Sequence, residues 1–118
     1  LDEISPYAKT NIIQLKDDKI SEIIIDPKEL NVNAEGFDKI IGNDAKFNSE
    51  KIIDIFKGND DDFSKAVSLN AAAGLIISER EDNFKYAYEK VRDHLLSGKT
   101  YSHLEKLRNV WEYIRKNN

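Results

Sequence analysis

Two short runs rich in β-branched residues, Thr10–Leu15 and Ile20–Ile25, are separated by Lys16-Asp17-Asp18-Lys19. Alternation sets Ile13 and Leu15 on one face of the first run, with Thr10, Ile12 and Gln14 on the other. Aspartate tolerates the left-handed backbone of a tight turn, so residues 10–25 are predicted to form a β-hairpin. Both faces carry isoleucine, and two strands alone bury too little surface to be stable in water. The hairpin is therefore expected to need a sheet or helix partner. Pro6 keeps the lead-in out of helix. Asp26-Pro27 predicts a single helical turn, with Asp26 as N-cap and Pro27 at the first helical position. A further turn is predicted over 35–41, closed by Gly42.

Beyond that point the apolar period lengthens to that of a helix, giving a helical region over 35–117. Asp44 can cap a helix with Phe47, Ile52, Ile55 and Phe56 on one side, ending at Gly58. After Asn59-Asp60-Asp61-Asp62 come Phe63, Val67, Asn70, Gly74 and Ile77 at helical spacing. This helix is apolar nearly all round from Ala66 to Ile77 and is expected to be the central buried one. A third helix carries Phe84, Ala87, Tyr88, Val91 and Leu95 and stops at Gly98. A fourth carries Leu104, Leu107, Trp111 and Ile114 at core spacing. The pattern as a whole is α+β: a β-hairpin followed by about four helices, without internal repeats.

Composition narrows the function classes. The 118 residues suit one domain or a piece of a larger one. The absence of cysteine excludes a disulfide scaffold, a thiolate metal site and a cysteine nucleophile. The chain begins at Leu1 and has no methionine, so the expectation is either that an N-terminal part has been removed or that this is a segment of a longer polypeptide. Its longest apolar stretch, Leu69–Ile77, falls well short of the roughly 18 to 20 residues a membrane helix needs. No basic-then-apolar leader opens it, and the expectation is a soluble, cytoplasmic chain with no membrane partner. Residues 1–62 hold 8 Lys against 15 Asp or Glu, and residues 63–118 hold 10 Lys or Arg against 7 Asp or Glu. A phosphate-binding face would be strongly basic, so the acidic first half argues against nucleic acid.

Few residues suggest chemistry on their own. Asp2-Glu3 offers two hard oxygen donors on a loop before a strand, which can hold Mg²⁺. Adjacent acids near a chain end are also ordinary solvated charges. Asp60-Asp61-Asp62 lacks the alternating oxygens and central glycine of a calcium loop, and its place before an apolar helix favours capping. Asn70 lies among apolar residues and needs partners, so it is expected to tie a loop to the core. Gly74 on the same helix suggests close approach of another backbone. His94 and His103 lie on different helices and read as surface or core-edge residues. The five glycines stand singly, without a phosphate-cradling loop.

Taken in order, these landmarks resemble the C-terminal third of the anthranilate phosphoribosyltransferases. That family's Gly-Leu-Asp-Glu segment is similar to Leu1-Asp2-Glu3, and the Ile-Ser and Thr that follow it are similar to Ile4-Ser5 and Thr10. The turn after its hairpin resembles Ile25-Asp26-Pro27. Its next helix is matched by Gly42, Asp44, Ala45, Asn48 and Gly58, and its Leu-Asn-Ala-Ala helix by Leu69-Asn70-Ala71-Ala72. Its closing Ser-Gly-Lys-Ala run resembles Ser97-Gly98-Lys99, with Thr100 in place of Ala, followed by Leu104 and Leu107. The likeness covers residues 1–108, and the tail from Asn109 is not distinctive.

The resemblance implies a fragment of an α/β catalytic domain of the nucleoside phosphorylase/phosphoribosyltransferase type. Residues 1–118 would be the C-terminal part of that domain, supplying its hairpin and outer helices. It implies transfer of phosphoribosyl from phosphoribosyl pyrophosphate to anthranilate, with release of pyrophosphate, in tryptophan biosynthesis. It further implies Mg²⁺ as cofactor, with Asp2 and Glu3 as its ligands, and a homodimer formed mainly through a small helical domain outside this segment. The family's pyrophosphate loop and anthranilate contacts also lie outside it, so the 118 residues alone are expected to be inactive. Two alternatives stand beside this reading. One is a non-catalytic relative of the same fold that binds nucleic acid. The other is a helical interaction module using Leu104, Leu107, Trp111 and Ile114, which requires that stripe to be exposed.

Overall fold

The computed structural model describes residues 3–117. Strand β1 (Thr10–Lys16) pairs antiparallel with β2 (Lys19–Ile25), in a register that sets Thr10 opposite Ile25, Ile12 opposite Ile23 and Lys16 opposite Lys19. Asp17 and Asp18 form the two-residue turn, with φ of 51° and 58°. Two successive left-handed residues give the turn whose twist matches that of the strands. The hairpin is followed by two single 3₁₀ turns, Pro27–Leu30 and Phe37–Ile40. Then come four helices: α1 (Ala45–Phe56), α2 (Asp62–Ile77), α3 (Phe84–Leu96) and α4 (Lys99–Lys116). The α+β pattern of a hairpin and four helices is thus the architecture observed.

The helix starts follow the local chemistry. Asp26 accepts the Lys28 N–H at 3.0 Å ahead of Pro27, and Asp44 accepts the Phe47 N–H at 2.8 Å. Asp61 and Ser64 form a reciprocal capping box at the head of α2. The other end of α2 has no glycine. There Glu79 adopts φ 56°, its N–H donating to the Ile76 carbonyl and that of Arg80 to the Leu75 carbonyl. This is the Schellman arrangement with a glutamate where glycine is usual.

The core is built around α2. Leu69 and Ala72 are fully buried, with Ile4, Ile25, Val32, Ala87 and Tyr88 gathered around them. Ser64 and Ser68, one turn apart, face inward with Leu69. The buried side of α2 is therefore the Ser64-Ser68-Ala72 side, and Val67 and Ile77 on the expected face are exposed. On α1 only Ile55 of the expected apolar stripe is buried, and Ile52 is exposed.

Two expectations from the sequence are corrected. A Cβ added at Gly74 would meet nothing within 4 Å, so that glycine admits no neighbouring backbone. The close approach occurs at Gly58, where φ is +100° and a Cβ would lie 2.5 Å from the Leu96 carbonyl oxygen. Helix α4 has no buried residue among those described. Leu107, Trp111 and Ile114 are exposed, Trp111 at 67%, because α4 makes few contacts with α1 and α3 and none of the described residues covers its apolar stripe.

The hairpin is covered on one face only. Ile25 is buried and Ile12 packs against the core, while Ile13, Leu15, Ile20 and Ile24 on the opposite face are exposed. The helices thus supply half of the partner surface that the hairpin pattern demands.

Candidate metal centre

The acidic pair of the sequence introduces a tightly fastened loop. Asp2 lies outside the described residues. Glu3 is exposed at a bend, and the next three residues, Ile4, Ser5 and Pro6, are buried. Proline fixes its own φ and keeps the preceding residue extended, so Ser5-Pro6 cannot continue into helix. The Ser5 Oγ accepts the N–H groups of Tyr7 and Ala8 at 3.3 and 3.1 Å, closing a serine turn over Pro6. The Ser5 N–H donates to Thr10 Oγ1 at 3.0 Å, tying the loop to the first residue of β1. At the loop's end Lys9 pairs with Asp26 at 3.1 Å. The Lys28 N–H and then the Lys9 ammonium hold the Asp26 carboxyl below the ordinary aspartate range.

The strongest fastening comes from α2. Asn70 Oδ1 accepts the Ile4 N–H at 2.9 Å, and Asn70 Nδ2 donates to the Ile4 carbonyl at 3.3 Å. The same Nδ2 donates to the Ala66 carbonyl at 2.9 Å, one turn back on its own helix. One side chain thereby satisfies both backbone groups of the residue after Glu3 and all of its own capacity to donate. This is the loop-to-core tie expected from an amide among apolar residues. The roles of Ser5 and Thr10 were not read from the sequence, although a serine before a proline is the signal that could have shown one of them.

The aspartate run divides three ways. Asp60 pairs with Arg92, Asp61 caps α2, and buried Asp62 accepts the Glu35 N–H at 2.7 Å and pairs with Lys65 at 2.6 Å. Burial pushes the Asp62 carboxyl up, but the Lys65 ammonium and the Glu35 N–H outweigh it and leave the group below its ordinary range. Among the described residues, no three acidic or histidine side chains gather to hold an ion. His94 and His103 are exposed and apart. The candidate donor set of the sequence, Asp2-Glu3, has two adjacent carboxylates, too few for an all-protein cage. It fits a cation such as Mg²⁺, which takes one or two carboxylates and completes its shell with water and phosphate oxygens.

The hairpin and four helices, with the loop before β1 pinned to the central helix, make up an α+β unit. The family model described as "Glycosyl transferase family, a/b domain" matches residues 1–101, and the chain belongs to that family. Among curated proteins it is similar to the anthranilate phosphoribosyltransferase of Pelagibacter ubique (strain HTCC1062), at 62% identity over 110 residues, covering 93% of this chain and 33% of that protein. The enzyme of the same name from Thermoanaerobacter sp. (strain X514) is 33% identical over 118 residues, 100% of this chain and 34% of its own. That from Clostridium beijerinckii is 34% identical over 107 residues, 91% and 32% of the two chains. The chain spans about a third of the length of the curated relatives it matches. Among the described residues, no helix is long and apolar enough to cross a membrane.

Proposed function

We propose that this chain is the C-terminal part of a phosphoribosyltransferase that moves the phosphoribosyl group of phosphoribosyl pyrophosphate to anthranilate, and that Asp2 and Glu3 hold Mg²⁺ there. The observation that carries the reading is the loop behind the acidic pair, pinned by Asn70, Ser5 and Thr10 in a family of glycosyl transferases. When bound, the cation would offset charge on the departing pyrophosphate. This chain's part is to hold two carboxylates at the edge of a rigid element. The substrate-contacting groups belong to the remainder of the longer protein, whose α/β domain this segment completes with its hairpin and outer helices. Residues 1–118 are one part of that domain rather than a domain in themselves. The exposed outer face of the hairpin supports this, because Ile13, Leu15, Ile20 and Ile24 together are a sheet face lacking its cover. The same reading makes the whole protein a cytoplasmic homodimer without nucleic-acid partners, in keeping with the acidic first half.

The test is a chimera in which this chain replaces the matching third of the Pelagibacter ubique enzyme. The chimera is expected to transfer phosphoribosyl to anthranilate, and the 118 residues alone are not. Asp2→Asn and Glu3→Gln are each expected to lower kcat/KM about 100-fold, on the scale of losing one transition-state electrostatic contact. Full turnover by the doubly substituted chimera would overturn the proposal.

A further inference from the structure

We infer that Asn70 is a positioning residue for the acidic pair, fixing through the backbone of Ile4 the point from which Glu3 reaches a divalent cation; this rests on the metal-holding role proposed above. Burial of the Ile4 side chain in the core cluster sets how deep that residue sits, but an apolar contact has no direction. The carboxamide supplies the direction. Its Oδ1 and Nδ2 engage the N–H and the carbonyl of one residue, as a neighbouring strand would, and its bond to Ala66 fixes the amide plane relative to α2. Aspartate at this position would keep the acceptor and lose both donors, and a glutamine would place the amide one methylene too far. Neighbouring Leu69 is fully buried, so the tether is rooted in the least mobile part of the fold. Groups that orient metal ligands typically change metal affinity by 10–100-fold when removed.

The probe is Mn²⁺, whose binding to the full-length chimera is read from the loss of the free-ion electron paramagnetic resonance signal, in the presence of inorganic pyrophosphate. Asn70→Ala is expected to raise the Mn²⁺ Kd about tenfold, with kcat at saturating Mg²⁺ falling less than the affinity. Leu95→Ala serves as the control that loosens the buried side of α3, outside the cluster holding Ile4, and leaves the carboxamide in place. It is expected to lower the Tm and leave the Kd unchanged. Asn70→Ser, which keeps a polar group of smaller reach, is expected to shift the Kd in the same direction and stands in if Asn70→Ala does not fold. An unchanged Kd in the Asn70 variants, beside a raised Kd in Asp2→Asn and Glu3→Gln, overturns this inference alone. Equal weakening by Leu95→Ala also overturns it, since general loosening would then explain the effect. An unchanged Kd in Asp2→Asn and Glu3→Gln overturns the metal-holding role and this inference together.

Discussion

Asp62 shows how one buried carboxylate can hold two segments together. It takes the Glu35 N–H on one oxygen and the Lys65 ammonium on the other, while Lys65 also donates to the Asn33 carbonyl. The loop of residues 33–35 is thereby fastened to the head of α2. Because the folded carboxyl is held below its ordinary value, its stabilisation is fully present above the usual aspartate range, near pH 4, and is lost as pH falls through the depressed folded value. Asp62→Asn in the full-length chimera is expected to cost about 2 kcal/mol at pH 7 and to flatten the acid limb of stability against pH, both read by urea denaturation. What the sequence could reveal at this scale depended on range. The caps at Asp26, Asp44 and Asp61 act on backbone two or three residues away and were legible. The reach of Asp62 to Glu35 spans 27 residues and left no local signature.

Elements meet through a few specific contacts, and two of these set opposite expectations. Gly58 closes α1 against the Leu96 carbonyl with a backbone that a side chain rarely adopts. Gly58→Ala is expected to destabilise the chimera by about 3 kcal/mol, from strain and the clash with Leu96. Glu79 stands in a left-handed position at the end of α2 without the freedom of a glycine. Glu79→Gly is expected to stabilise by about 1 kcal/mol, the usual cost of that conformation for a side chain. Thermal denaturation checks both. Periodicity gave the number and order of elements and the inward face of α3, where Ala87, Tyr88 and Leu95 are buried as their spacing implies. It could not distinguish Gly58 from Gly74, because a glycine's purpose lies in what approaches it. Nor could it place the stripe of α4, since an apolar face calls for a cover without naming one. The assignment of Mg²⁺ to Asp2 and Glu3 is a proposal that rests on the family likeness, whereas the amide tie from Asn70 followed from a polar residue in an apolar setting.

At the scale of the molecule the fold is loosely drawn together. Its radius of gyration is 16.3 Å, against about 13.5 Å for a compact chain of this length. Its accessible surface is 8604 Å², against roughly 6,600 Å² for a folded monomer of this mass. The excess is of the size that a substantial protein interface buries, and it includes the open face of the hairpin. On a surface left to water, Ile13→Lys and Ile20→Lys would each change stability by no more than about 0.5 kcal/mol. In the full-length chimera each is expected to cost about 2 kcal/mol, since on the proposed reading the rest of the domain covers that face. A shift in Tm decides between these. The bond between Ile4 and Asn70 joins positions 66 residues apart in the sequence. A ribosome finishes the acidic end long before it delivers the helix that holds it, and closing so wide a loop is slow compared with forming the hairpin between them. A nascent or clipped polypeptide lacking α2 therefore has Ile4 without its tether, and on the metal-holding role proposed above, competence to grip a cation arrives only when the later half of this segment has folded.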